Sequence, residues 1–234
     1  MLMSAARTPA DLEHMVQQRA DGLPLEHVVG WAEFCDLRIA VDPKVFVPRR
    51  RSEFLVRQAA ARTRPGEVVV DLCCGSGALG AALAATADGV ELHAADIDPA
   101  AVRCARGNLA SVGRVYEGDL FAPLPAALRG RVGILLANVP YVPTGDVELL
   151  PTEARVHEAR VALDGGADGL DILRRVTAEA GRWLAPGGHL LFETSERQTQ
   201  HAVDTVTRDG LIAGVATSDE LYATVVIGTR PASG

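Results

Sequence analysis

The apolar positions of this chain change their period along its length. Over residues 9–19, Leu12, Met15 and Val16 recur at helical spacing with Asp11 near the start, which predicts one short amphipathic helix. Between residues 28 and 47 the spacing becomes mostly even. Trp31, Phe34, Leu37, Ile39, Val41, Val45 and Val47, interrupted at Cys35-Asp36 and Asp42-Pro43, predict a β-hairpin. Pro48 and three arginines, Arg49, Arg50 and Arg51, punctuate, and Ser52 is the expected N-cap of a helix reaching about Ala61.

From Glu67 onward strands and helices alternate. Val68, Val69 and Val70 make a short buried strand ending at Asp71, and a glycine-rich turn leads into a helix carrying Leu79, Ala82 and Leu83. A strand over 91–95 ends at Asp96, and Pro99 opens a helix to about Leu109. A third strand over 115–117 precedes Gly118-Asp119, and a fourth over 133–137 stops at Asn138. A helix over 171–183, a Pro-Gly-Gly turn at 186–188 and a strand over 189–192 form the next unit, followed by a helix over 198–208. Two last strands, 211–215 and 222–227, stand only a few residues apart, as an antiparallel hairpin closing the sheet edge would. Alternation of this kind predicts an α/β fold with a parallel sheet covered on both faces.

Composition narrows the class. With 234 residues, 48% of them hydrophobic and 23% charged, the chain has enough apolar surface for a full core without disulfide or metal staples. A net charge of -7 leaves no broad electrostatic footprint for nucleic acid. The four cysteines, Cys35, Cys73, Cys74 and Cys104, match neither a CxxC pair nor a zinc-ligand spacing, so reduced thiols and no metal are expected. No apolar stretch approaches the ~18 residues of a membrane span and the N-terminus lacks a signal-like run, so the expectation is a cytoplasmic protein with no membrane partner.

In open α/β sheets ligands sit beyond the carboxyl ends of the strands, which gives weight to Asp71, Asp96, Asp119 and Asn138. The turn through Leu72, Cys73, Cys74, Gly75, Ser76 and Gly77 to Gly80 spells G-x-G-x-x-G, with an acid 21 positions after Gly75 at Asp96. That string also fits a dinucleotide site. A carboxylate at Asp71 disfavours pyrophosphate there and favours a ligand with a positive group, such as S-adenosylmethionine with its ammonium. Asp96 would then accept the two ribose hydroxyls, with Ile97 beside it. Asp119 would take the adenine amine, and Leu120 would cover the ring. At the fourth strand end, methyl transfer to a planar nitrogen has a use for Asn138-Val139-Pro140-Tyr141 and hydride transfer has none. The Asn138 side-chain oxygen and the Val139 carbonyl would accept the hydrogens of the nitrogen, Pro140 would stiffen the turn, and Tyr141 would stack on the planar group. Asn138 would touch cofactor as well as acceptor. His157 beside Glu158 is a minor acid/base candidate, and the arginine run reads equally as a solvated turn or as a contact for a phosphate or an acidic surface.

From Pro24 to Gln198 the chain resembles the PrmC/HemK family of bacterial release factor glutamine N5-methyltransferases. The matching segments are residues 24–30, Val47-Pro48-Arg49 with Ser52-Glu53, residues 71–77, Ala95-Asp96-Ile97, residues 118–121, Asn138 to Tyr141, residues 162–166 with 168–171, and Glu193 with Gln198. The resemblance implies a Rossmann-like seven-stranded class I methyltransferase fold, S-adenosylmethionine as methyl donor, and a protein glutamine as acceptor, in a release factor or another protein. It divides the chain into an N-terminal helical segment (1–23), a hairpin and connector (24–52) and a catalytic domain (53–234). There are departures. Val139 stands where the family has proline, Cys73 where it has glycine, Arg50 and Arg51 where it has proline and an acid, and Ala159 where proline is usual. Only 23 residues precede the Pro24 segment, where the family carries a helical domain of several tens of residues. Methylation of another planar nitrogen, in a small natural product or an adenine amine, and a non-catalytic cofactor-binding module are the remaining readings.

Overall fold

In the computed structural model, which describes residues 1–232, the chain opens with three short helices, α1 Leu2–Ala5, α2 Pro9–Ala20 and α3 Leu25–Val29. A capping box starts α2: Thr8 Oγ1 accepts the Asp11 N–H at 3.1 Å while the Asp11 carboxylate accepts the Thr8 N–H at 3.0 Å. The expected hairpin is present but shorter, with β1 Trp31–Phe34 paired to β2 Leu37–Ala40. Cys35 and Asp36 form its two-residue loop with φ of +48° and +60°, the left-handed pair that a tight hairpin turn requires. Residues 28 and 29, at the start of the expected hairpin, belong instead to α3, which Gly30 closes at φ +80°. Beyond Ala40 the ladder stops at Asp42-Pro43. Val41, Val45 and Val47 are buried all the same, in a segment that makes a single bridge from Lys44 to Glu158.

A 3-10 turn over Arg50–Ser52 leads into α4 Glu53–Ala60. Ser52 does not cap this helix, because its hydroxyl donates instead to Glu193, at 2.7 Å. There follow β3 Val68–Leu72, α5 Ala78–Thr86, β4 Glu91–Asp96, α6 Pro99–Asn108, β5 Gly113–Glu117 and β6 Val132–Ala137. The chain then runs through α7 Thr152–His157, α8 Asp171–Trp183, β7 Leu184–Thr194, α9 Thr199–Arg208, β8 Ile212–Ser218 and β9 Ala223–Thr229. Pro186, Gly187 and Gly188, expected as a turn ahead of β7, instead bulge out within it, and the pairing jumps from Val132–Leu184 to Ile134–His189.

The seven strands lie in the order β5-β4-β3-β6-β7-β9-β8, with the first five parallel and β9 antiparallel to both of its neighbours. The chain builds outward from β3 to β5 and returns to the other side of β3 for β6. This reversal of strand order opens a crevice at the carboxyl ends of β3 and β6. Both strands are buried along their whole length, which is why they read as unbroken apolar runs. Alternate residues feed two layers. Leu135 packs with Trp183 of α8 and Val206 of α9, while Ile134 and Leu136 pack with Leu55 of α4 and Leu83 of α5. Each such fully buried leucine contributes roughly 2 kcal/mol over an exposed one. No helix among the described residues is long and apolar enough to cross a membrane.

Candidate active site

At the tip of β3 the expected ligands separate into two groups. Asp71 is fully buried, and its Oδ2 accepts the Gly80 N–H of α5 at 3.0 Å while Oδ1 has no partner. Leu72 is likewise buried, and Gly77 ends the turn at φ +78°, where a β-carbon would lie 3.0 Å from Leu109. These three stand behind the wall of a cavity of about 420 Å³ and hold its shape. Cys73, Cys74, Gly75, Asp96, Ile97, Asp119, Leu120, Asn138, Val139, Pro140 and Tyr141 line it.

Burial pushes the Asp71 carboxyl up to about 7, with the Gly80 N–H opposing the shift and Asp96 adding to it. A carboxyl whose folded value exceeds its ordinary 3.8 binds its proton more tightly in the native state, so stability falls as pH rises through that window. Asp71→Asn, which retains an oxygen for Gly80, is therefore expected to flatten the pH dependence of Tm between about 4 and 7. Its stability relative to the parent should rise with pH, and parallel melting curves across that range would refute the assignment.

Asp96, at the end of β4, is fixed from both sides. Its Oδ2 accepts the Gly75 N–H at 2.8 Å and its Oδ1 the Asp98 N–H at 2.9 Å, while Asp98 itself caps α6 through the Ala100 N–H. Burial raises the Asp96 pKa, and the two backbone N–H groups counter it in part. Cys73 sits at φ +54°, a left-handed conformation that costs a β-carbon-bearing residue about 1–2 kcal/mol and that a glycine would adopt freely. Asp119, expected to take the adenine amine, is also paired with Arg175 of α8 at 2.5 Å. Arg175 and Ile172 line the cavity from α8, a helix that nothing in the local sequence ties to β5.

The loop after β6 forms the other end. Asn138 Oδ1 is buried with no hydrogen-bond partner, and no backbone N–H of the described residues is bonded to the Val139 carbonyl. The Val139 side chain is 3% exposed and belongs to the layer that holds Leu120 and Phe192, so valine is anchored there by packing. The loop is braced from behind. The Gly165 N–H donates to the Val142 carbonyl at 2.8 Å, and Gln198 Nε2 donates to the Tyr141 carbonyl at 3.0 Å. The Tyr141 hydroxyl donates to Glu193 at 3.3 Å and accepts from Arg51. Glu158 Oε1 accepts from Arg49 at 2.5 Å and from the Val47 N–H at 3.2 Å, its Oε2 is buried without a partner, and no hydrogen bond joins it to His157 among the described residues. The sequence offers Glu158 only as a partner of His157 and Arg51 only as part of an exposed run, and it gives Glu193 and Gln198 no role.

This donor set suits S-adenosylmethionine. The Asp96 carboxylate oxygens, each already accepting a backbone N–H, keep further lone pairs that match a pair of ribose hydroxyls. Gly75 leaves open the space toward Phe46, where a β-carbon would stand 4.0 Å from the Phe46 Cβ. A pyrophosphate, by contrast, would face the Asp96 and Asp119 carboxylates.

Residues 37–169 match the family model described as Methyltransferase small domain. The release factor glutamine methyltransferase of Mycolicibacterium smegmatis is 39% identical over 215 residues, which cover 91% of this chain and 76% of that protein. The protein of the same name from Geobacter sulfurreducens is 34% identical over 219 residues, with 92% and 76% covered. Among solved structures, a methyltransferase from Pyrococcus furiosus superposes with a TM-score of 0.63 at 18% identity, covering 83% of this chain and 89% of the other, which is a likeness of fold. A seven-stranded sheet with its acidic and amide residues gathered at the β3–β6 crevice, and identity of this extent along nearly the whole chain, lead to one statement: this methyltransferase belongs to the release factor glutamine methyltransferase family.

Proposed function

We propose that the enzyme methylates the side-chain amide nitrogen (N5) of a glutamine in a peptide chain release factor, in the cytoplasm, with S-adenosylmethionine as donor. The observation that carries this reading is the buried, partnerless oxygen of Asn138 beside the acidic end of the same cavity. A buried acceptor left without a donor costs about 1–3 kcal/mol, a cost repaid when a ligand N–H arrives. The relatives' shared name favours glutamine over an adenine amine or a small natural product as that ligand. The four thiols, free of disulfides, suit a reducing compartment.

Bound S-adenosylmethionine supplies an electrophilic methyl group. The chain's own residues make the acceptor ready for it. Asp96, held by Gly75 and Asp98, would fix the ribose, while Cys73, Gly75, Ile97, Asp119 and Leu120 form the remaining walls of that end. An amide nitrogen is a weak nucleophile because its lone pair is delocalised. Asn138 Oδ1 and the Val139 carbonyl are neutral acceptors, so they orient the two N–H groups without removing a proton and hold the nitrogen in one direction. Pro140 restricts the turn, and the Tyr141 ring offers a flat wall to the amide plane.

The test is mass spectrometry of a release factor incubated with enzyme and donor. One added methyl on one glutamine is expected. Methyl transfer to nucleic acid, with the release factor unmodified, would overturn the reading.

A further inference from the structure

Three arginines stand in a row at 49–51, and the fold uses them differently. Arg50 is exposed in the 3-10 turn ahead of α4. Arg49 lies on the buried carboxylate of Glu158. Arg51 reaches the end of β7, where its Nε donates to Glu193 Oε1 at 2.5 Å, and its Nη2 donates to the Tyr141 hydroxyl. Its guanidinium carbon lies 5.9 Å from the centroid of the Tyr141 ring. Glu193 is 4% exposed, and its second oxygen accepts the Ser52 hydroxyl at 2.7 Å. Both Arg51 and Tyr141 line the cavity beside Asn138.

We propose that Arg51 is a positioning residue of the acceptor end: seated on Glu193, it locks the plane of the Tyr141 ring that forms the wall beside Asn138. The proposal rests on the glutamine reading above for the identity of the acceptor, and on the contacts alone for the lock. A phenol has one hydrogen to give and accepts in defined directions, so donation to Glu193 together with acceptance from Arg51 sets both the position of the oxygen and the tilt of the ring. The backbone end of Tyr141 is pinned separately by Gln198. A planar fork can engage a carboxylate and a neighbouring hydroxyl at once, which an ammonium on a flexible stem does not reproduce. Burial, and after it the Glu193 charge, pushes the Tyr141 hydroxyl up to about 12, so it remains a donor throughout the working range. Removal of Arg51 would leave Glu193 buried with Ser52 and Tyr141 as its remaining partners, and the ring free to turn toward it.

The experiment is a double-mutant cycle read by kinetics and by NMR of the tyrosine rings. Arg51→Met is expected to lower kcat on the release factor roughly 10- to 100-fold, the scale of a misplaced wall at a reacting centre, while S-adenosylmethionine affinity measured by calorimetry stays at the parental value and reports an intact fold. In a Tyr141→Phe background the same change should cost less than about twofold, because the lock has already lost its target. Arg51→Lys should recover only part of the loss. Fold-losses that multiply in the double variant would overturn the proposal. Independently of any acceptor, the Tyr141 ring resonances, assigned by their absence in Tyr141→Phe, should shift and average in both Arg51→Met and Glu193→Gln. Unchanged ring resonances would equally overturn the lock. Failure of the parental enzyme to methylate any release factor would count against the substrate reading alone, and the ring resonances would still decide the role of Arg51.

Discussion

Asn138→Ala is expected to lower turnover roughly 100- to 1,000-fold, the usual effect of deleting one oriented polar group from a preorganised site. The loss should fall on kcat. On the proposed reading Asn138 acts on the nitrogen that reacts and Asp96 would hold the far end of the donor, so affinity for S-adenosylmethionine should stay within about threefold of the parent. Stability gives a second, opposite signature. The Asn138 oxygen is buried and makes no hydrogen bond, so alanine removes an uncompensated polar atom, and Tm should hold or rise. A variant that is dead, fully able to bind donor and no less stable separates a functional asparagine from a turn residue, since the loss of a turn residue would lower Tm first. Retention of turnover above about one tenth of the parent would remove Asn138 from the reaction.

The elements that can be read from sequence are those whose cause is local. Val68 to Val70 and residues 133–137 announce buried parallel strands by unbroken apolar runs, and Pro99 after Asp98 marks a helix start that the structure places at the same residue. Strand ends are legible for the same reason, because an acid or amide that terminates an apolar strand must lie at the sheet edge. Asp96 and Asn138 do line the cavity, whereas Asp71 and Gly77 stop one layer short of it. What sequence conceals is contact across large separations. Arg51 and Tyr141 are 90 residues apart, Tyr141 and Glu193 52, and Gln198 lies 57 from the carbonyl that it holds. Ser52 shows how such a contact defeats a local rule: serine ahead of a helix signals a cap, yet a carboxylate 141 residues away takes its hydroxyl. The end of the hairpin is concealed for a related reason, since Val41, Val45 and Val47 alternate as strand residues do and pack with Ala32 of β1, but they do so beside Ala101 and Cys104 of α6 without continuing the ladder.

Gly169→Ala is expected to disable the site without altering any group that meets ligand. Gly169 sits at φ +80°, and a β-carbon there would lie 2.3 Å from the Tyr141 carbonyl oxygen and 2.4 Å from Gln198 Nε2. Those are the two atoms joined by the 3.0 Å hydrogen bond that pins the loop after β6. A methyl group therefore enters the bond itself. The left-handed backbone adds about 1 kcal/mol, the lost hydrogen bond a similar amount, and overpacking against backbone about 1–3 kcal/mol, so a destabilisation on the order of 4 kcal/mol is expected. Relief by movement is available only to the softer partner, which is the loop carrying Asn138 to Tyr141, since β7 and α9 hold Gln198 between two regular elements. A displacement of about 1 Å at a reacting centre costs roughly 100-fold in rate, so activity measured well below the variant's own Tm should fall by that order. Gly181→Ala is the matched control. That glycine lies inside α8 with nothing within 4 Å of a new β-carbon, and the change should stabilise the helix by about 0.5–1 kcal/mol and leave turnover unchanged. If Gly169→Ala melted and turned over like the control, the loop would owe its geometry to something other than the brace from behind, and the shaping of the acceptor end by residues 162–171 would have to be abandoned.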